Sequence, residues 1–344
     1  MQITPPSVST AILAILTLLG ASTSLTAHAA LQEGAGREWF VAPSGKDSQP
    51  GTAEQPLASL GKAAALATPG STIRLAAGVY REREVMLRVG GTAQRPLVIE
   101  GAKNGQTVLK GSTVVTGWRP HEGKTWKIEN WTVNIQQLFA DGRPLQQIGV
   151  QCSFNTQKLW ADHVALPPVG KGIEDLAPGS FFYAAESKTL YVQLPDGSDP
   201  NAHEMEASTA NYVLDTGTHS HIVLRNLAIR HSNATAIGTR AGVLRVHGKS
   251  VIVEDCEVSQ GDFAGISMEG DSHIIRRSRI TENGSVGIDI NGSDAAHGWS
   301  WHSNRAPQNI LMEDLEITGN NYRLFYNQWH AGGMKCIPSC RAVT

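Results

Sequence analysis

The sequence predicts an all-β solenoid, and three observations lead there. Charged residues make up only 17% of the 344, and glycines number 35. Exposed helical faces need Glu, Lys and Arg, and soluble domains carry roughly 25% charged residues, so a helical bundle or coiled coil is excluded. The second observation is a repeat in the C-terminal half. Ile229, Val258, Ile280 and Ile317 share one column at offsets of 29, 22 and 37, and Ile237, Ile266, Ile288 and Phe325 align at the same offsets. The third is punctuation: the repeated segments are rich in β-branched residues and broken by Asn and Gly, which suits stacked strands and turns. A leucine-rich repeat has a similar length, but its consensus is absent.

The first thirty residues read as targeting signal. Ala11 to Ala21 (AILAILTLLGA) is an apolar run of 11 residues, too short for a bilayer that needs ~20. Ala27-His28-Ala29 follows as an A-x-A cleavage pattern. A signal peptide over residues 1–29, and a secreted or periplasmic mature protein, are expected. No later segment is long and apolar enough to span a membrane.

From Trp39 to Glu82 the chain reads WFVAPSGKDSQPGTAEQPLASLGKAAALATPGSTIRLAAGVYRE. A turn-rich opening leads to an Ala-rich amphipathic stretch, Leu57 to Leu66. Pro69-Gly70 stops it, and a strand follows at Thr72-Ile73-Arg74-Leu75. This run resembles the N-terminal signature of secreted right-handed parallel β-helix proteins, which include pectate-lyase-like enzymes and several glycoside hydrolases. The resemblance implies a short helix capping the open end, where apolar core and sheet edges need cover. Residues 30–111 are then cap and first coils, and residues 207–344 are further coils.

Between them, residues 112–206 break the rhythm and carry Trp118, Trp126, Trp131 and Trp160, half of the eight tryptophans. Asp141-Gly142 within LFADGRPL is a hairpin signal, and SFFYAAESKTLYVQLPDGSDP reads as two strands around a turn. An antiparallel β insertion is expected, similar to insertions in β-helix glycosidases, with most of its aromatics forming its own small core. At the other end the chain stops within a coil and without a cap, which predicts a truncated product.

Strand alternation assigns side chains to faces. With Leu244, Ile266, Ile288 and Met334 inward, Arg245, Ser267, Asp289 and Lys335 form one outward ladder, and His247, Glu269, Asn291 and Ile337 form the next. Asp289 and Lys335 become neighbours, with Glu269 diagonal to Asp289. These three are the candidate catalytic residues. Two long loops flank them: one holds Asp294, Trp299, Trp301 and His302, the other Arg323, Trp329 and His330. Aromatic faces beside polar hydrogen-bonders suit a sugar, so these seven join Arg245 as candidate substrate-binding groups.

Three functions remain open. A glycoside hydrolase would use Glu269 and Asp289 as acid and as base or nucleophile. A polysaccharide lyase would use Lys335 as base and Arg245 or Arg323 to neutralise a uronate; Ca²⁺ would enter only in that case, and otherwise no cofactor or metal is expected. A non-catalytic glycan-binding solenoid or inactive fragment is the third, because fold alone does not fix function. The expected partner is a polysaccharide or oligosaccharide bound by a monomer. With 29 Lys+Arg against 31 Asp+Glu, the electrostatic footprint of a nucleic-acid binder is missing. Cys152, Cys256, Cys336 and Cys340 are too few for a disulfide scaffold, and Cys256 reads as a small buried hydrophobe.

Overall fold

A computed structural model describes residues 36–103, 105–149, 168–234, 242–291, 307–324, 331–337 and 341–344; the apolar run Ala11 to Ala21 and the signal peptide expected over residues 1–29 lie outside them. Apart from those of the 112–208 segment, their strands stack in parallel into three faces of a right-handed β-helix. The first face begins with Glu38–Val41, Thr72–Leu75 and Leu97–Glu100 and continues through Ser220–Arg225 and Lys249–Glu254. The second holds Gly78–Arg81, Thr107–Lys110, Ala228–Arg230 and Glu257–Ser259. Strands Ile274–Thr281 and Gln308–Thr318 run through both faces, which merge among the described residues into one twelve-stranded sheet. The third face has six described strands, Val85–Met86, Leu214–Asp215, Gly242–Val246, Ala264–Met268, Val286–Asn291 and Gly332–Ile337.

Left-handed residues stacked from coil to coil make the corners. Asn226, Asp255, Arg277 and Asp314 have φ between 46° and 57° and separate the first face from the second. His231, Gln260, Glu282 and Gly319 do the same at the second corner, with φ from 53° to 66°. A third stack, His221, Ser250, Ser272 and Asn309, opens the first face. Most of these are polar side chains, the types that tolerate this conformation best. His221 therefore occupies a corner.

Gly248 and Gly270 show how close the coils come. Gly270 has φ +108°, and a Cβ there would lie 1.9 Å from the carbonyl oxygen of Gly248, itself at φ +84° and equally close to His219. Gly270→Ala combines backbone strain with a backbone clash, so a loss on the order of 3 kcal/mol is expected. A urea melt measures it.

The interior is apolar. Ile229, Val258 and Ile280 stack in register with Ile317, as the sequence offsets predict. The second column is corrected. Ile266 faces Leu244 and Ile288, and Ile288 faces Met334, so the described column runs at offsets of 22, 22 and 46; Ile237 and Phe325 lie outside the described residues. The reason is where the extra residues enter: seven lie between the second and third faces, upstream of Gly242, which shifts one column and not the other. Leu244, Ile266 and Ile288 are fully buried, whereas Met334 keeps the inward register yet is 48% exposed, with no described strand beyond it. Outside, charges alternate between coils: Arg74 and Arg225 both pair with Glu100, and Arg276 pairs with Glu254.

The capping helix spans Leu60–Leu66, starting three residues later than the amphipathic pattern suggests. Ser59 is the reason: its hydroxyl accepts the Lys62 N–H at 3.1 Å and caps the helix, while Leu57 still bridges to Val41. Glu82 covers the next free donors, accepting from Leu60 N–H at 2.6 Å.

Residues between Ser112 and Ser208 leave the second face after Lys110 and rejoin the third at Leu214. They build a four-stranded and a five-stranded sheet among the described residues. Leu138–Ala140 and Arg143–Pro144 form the hairpin, with Asp141 and Gly142 at φ 50° and 73°. Pairing is antiparallel except at Gln146–Gln147, which runs parallel to Ser180–Phe181. Trp118, Leu138, Phe181, Leu190 and Met205 share a core separate from the β-helix interior, with Trp126 and Trp131 packed at its edge; Trp160 lies outside the described residues.

The seam with the β-helix is polar and buried. Glu206 pairs with Lys110 at 2.6 Å and with Arg81, and accepts from the Ser112 hydroxyl at 3.0 Å. Ser112 also meets His231 Nδ1 at 2.8 Å, while His231 Nε2 lies 3.0 Å from Gln260 Oε1. The imidazole stacks on Phe139 of the insertion at 3.9 Å.

Candidate functional site

The third face carries the candidate site because its outward positions are flanked by the turns from which the insertion emerges. Parallel pairing places Met86, Asp215, Arg245, Ser267, Asp289 and Lys335 in one row. The register that keeps Ile288 and Met334 inward thus puts Asp289 beside Lys335, about 4.8 Å apart along the stack. Glu269 follows Met268, which pairs with Ile290. It stands one strand over and two residues along from Asp289, roughly 8 Å between α-carbons from strand spacing and rise.

Burial grades this row. Asp289 and Ser267 are fully buried and Asp215 is 1% exposed, whereas Lys335 and Glu269 are half-buried. Asp289 therefore forms a floor, with Lys335 and Glu269 nearer solvent. Burial pulls the Lys335 ammonium down to about 7 against the opposing attraction of Asp289. His273 fixes the backbone behind Glu269. Its Nδ1 accepts the Val251 N–H at 3.2 Å, so Nε2 carries the hydrogen and donates to the Glu269 carbonyl at 2.9 Å. Burial lowers this imidazole to about 4, which keeps it neutral.

Two coils earlier, Asp215 organises a second cluster. It accepts the Gly217 N–H at 2.8 Å, meets His247 Nδ1 at 3.2 Å and lies 3.9 Å from Arg245. Burial pushes the Asp215 carboxyl up, but His247, Gly217 and Arg245 outweigh it and hold it below the usual carboxylate value. The Arg245 guanidinium lies over the Tyr212 ring at 3.9 Å. His247 Nε2, Ser267 Oγ and Glu269 Oε1 are buried without hydrogen-bond partners among the described residues. Such atoms are rare in folded proteins and cluster where a ligand or water belongs.

The ladder brings Arg245, Glu269, Asp289 and Lys335 onto one face. Arg323 is committed differently: its guanidinium pairs with buried Asp262 and donates to Gln147 Oε1 of the insertion. Asp294, Trp299, Trp301, His302, Trp329 and His330 lie outside the described residues. For the calcium variant of lyase chemistry, the described residues offer no group of three or more His, Cys, Asp or Glu side chains suited to a metal. Cys256 is a free, buried thiol pushed up to about 12 by burial, and Cys336 is disulfide-bonded.

Asp215 and the His247 contact escape a reading of the repeat. Leu214 to Ile222 spans eight residues where Leu244 to Val251 spans seven, and that extra residue, together with the preceding insertion, hides the coil. Tyr212 is missed for the same reason.

A family described as a protein of unknown function, DUF1565, matches residues 43–138. The uncharacterized protein YwoF of Bacillus subtilis (strain 168) is 28% identical over 128 residues, which is 36% of this chain and 27% of that one. Among solved structures, the complex of XylC with xylose superposes with a TM-score of 0.65 at 18% identity, over 86% of this chain and 56% of XylC. A structure described as a glycoside hydrolase gives the same TM-score at 14% identity, over 83% and 74%. The chain thus spans about a quarter of YwoF and just over half of XylC. At these identities the likeness is one of architecture: the chain is a right-handed parallel β-helix.

Proposed function

We propose that this protein is an exported carbohydrate-active enzyme, a glycoside hydrolase that binds a polysaccharide or oligosaccharide along the outward third face. The observation that carries this reading is the pair of carboxyl side chains, Glu269 and Asp289, on adjacent strands of one face with Lys335 beside Asp289. Glycosidic hydrolysis needs one carboxyl to protonate the leaving oxygen and another to act as base or nucleophile. Glu269, half-exposed, suits the acid. Asp289 at the floor suits the carboxylate, with the Lys335 ammonium as its neighbour in the row. Arg245 on Tyr212 and the Asp215–His247 pair supply hydrogen-bonding groups further along the same face. The xylose complex of XylC and the hydrolase of like fold support a saccharide as substrate. The Ala11–Ala21 run and the Ala27-His28-Ala29 pattern support export.

A lyase is the second reading, favoured by one observation: Lys335 held near 7 has the value a general base needs. Dependence on pH separates the two. In a hydrolase, loss of the Lys335 proton removes the positive charge beside the carboxyl pair and the bound saccharide, so kcat/KM falls as pH rises through about 7. In a lyase the neutral amine removes the proton, so kcat/KM rises through the same value. Polysaccharide digests followed both as reducing ends and as absorbance near 235 nm, where unsaturated products absorb, test this directly. Reducing ends without absorbance, with activity declining above neutrality, are expected. Absorbance with a rising profile would replace the hydrolase by the lyase, and neither signal on a broad panel would remove the enzyme reading.

A further inference from the structure

Charge alternates along the stacked coils, and the pattern stops at an open edge. On the first face Arg74, Glu100, Arg225, Glu254, Arg276 and Glu313 stand in register and change sign at every step. Around the next corner the alternation widens to three positions. Glu254-Asp255-Cys256-Glu257 is followed by Arg276-Arg277-Ser278-Arg279, and then by Glu313-Asp314-Leu315-Glu316.

The middle coil is shared between its two neighbours. Arg276 binds Glu254 at 2.7 Å and lies 3.8 Å from Glu313, Arg277 meets Asp255 at 2.8 Å, and Arg279 meets Glu316 at 2.7 Å. Glu254, held between coils, has a side chain only 10% exposed, whereas Glu313 and Glu316 remain 45% and 49% exposed. The backbone beneath them is open too. Arg341–Val343 pairs with the outer edge of Gln308–Thr318 at Gln308 and Ile310, and the Thr344 carbonyl accepts the Met312 N–H at 2.8 Å. From Glu313 to Thr318 no described residue pairs with that edge. Inward-facing Leu315 and Ile317 are only partly buried and Met334 is 48% exposed, whereas Ile280 and Ile288, one coil further in, are fully buried.

We propose that this edge docks one strand of a partner polypeptide, added in parallel along Glu313–Thr318 and carrying Arg or Lys in an R-R-x-R spacing. An unpaired edge is a template for another strand. Added strands take affinity from main-chain hydrogen bonds and specificity from side chains at fixed positions. Opposite charges facing across a strand pair stabilise it and like charges destabilise it, so the E-D-x-E edge selects a basic strand as Arg276-Arg277-Ser278-Arg279 does on its inner side. A second copy of the chain fits poorly. Two such edges would set carboxylates against carboxylates, and the opposite end of the β-helix begins with Glu38 and carries the capping helix. The inference is independent of the chemistry proposed for the third face.

The sequence of Ile275–Thr281, IRRSRIT, has the required spacing and serves as probe. A fluorescently labelled, amidated peptide of this sequence is titrated with the full chain and followed by anisotropy. Beside it run the same peptide with all three Arg replaced by Glu, and an isomer, IRRRSIT, of identical charge but altered spacing. Saturable binding of the first peptide is expected, at least about tenfold tighter than the acidic one and about threefold tighter than the isomer. Glu313→Lys/Glu316→Lys, at exposed positions and shown to be folded by circular dichroism, is expected to reverse the preference so that the acidic peptide binds better. No saturable binding up to about 1 mM, equal binding of the isomer, or an unchanged preference in the folded double variant would overturn the inference. Sedimentation of the chain alone as a dimer that excludes the peptide would give the edge to a second copy, which overturns it as well.

Discussion

Glu206→Ala is expected to lower stability by about 3–5 kcal/mol, the cost of leaving buried partner charges unpaired. The carboxylate is fully buried and is met by Lys110 at 2.6 Å, by Arg81 and by the Ser112 hydroxyl. Lys110 ends the last coil before the insertion, and Ser112 begins the insertion itself. Removing Glu206 therefore strips charge compensation from the junction where the chain leaves the β-helix and where His231 stacks on Phe139.

Acid should act on the same seam. Burial pushes the Glu206 carboxyl up, but the bonds from Lys110 and Arg81 outweigh it and bring it to about 2, below its ordinary 4.5. A depressed carboxylate contributes stability that is present above the unfolded value and lost as pH falls from about 4.5 towards 2, on the order of 3 kcal/mol here. His231 adds to this. Burial lowers it to about 3 from 6.5, partly opposed by the Glu206 charge. The unfolded chain takes up that proton first, so stability declines as pH drops through the interval between 6.5 and 3. Urea midpoints of wild type and Glu206→Gln at pH 7 and pH 3 measure both effects. A lower midpoint for the variant at pH 7 and a flatter response to acid are expected. Equal midpoints at pH 7 would show that the ion pairs do not hold the seam.

Much of this fold can be read from the residues. The Ile229–Val258–Ile280–Ile317 column is legible because each strand of a solenoid must bury the same face against its neighbours, and β-branched residues mark that face. Corner positions are less legible: His231, Gln260 and Glu282 share only a left-handed backbone, and no single residue type announces it. The false second column through Ile237 and Phe325 arises because a turn insertion displaces one column without touching another. Apolar residues recur often enough in such a chain to align by chance at the displaced offset.

The site divides along the same line. Asp289, Lys335, Ser267 and Arg245 follow from strand alternation, which needs only the correct register. Asp215 does not, because the 112–208 segment and one extra residue separate it from the repeat. The commitment of Arg323 to Asp262 and Gln147 is also invisible beforehand, since it joins three segments distant in sequence. Ladder geometry is local to adjacent coils, whereas the seam depends on how a separate core docks.

The largest effect is expected on turnover. Glu269→Gln and Asp289→Asn each remove a carboxyl while keeping size and hydrogen bonding, and each is expected to lower kcat by about 10²–10⁴, the range of a positioned acid or base. Lys335→Ala is expected to act mainly through KM, because a group that neighbours Asp289 and lies nearer solvent contributes to binding as well as chemistry. The most direct measurement is kcat/KM for wild type, Glu269→Gln and Asp289→Asn on the first polysaccharide found to release reducing ends, with circular dichroism confirming that each variant is folded. The expected result is two folded variants with at least about a hundredfold less activity. Two folded variants with wild-type kcat/KM would show that the outward ladder of the third face is not where the glycosidic bond is cut.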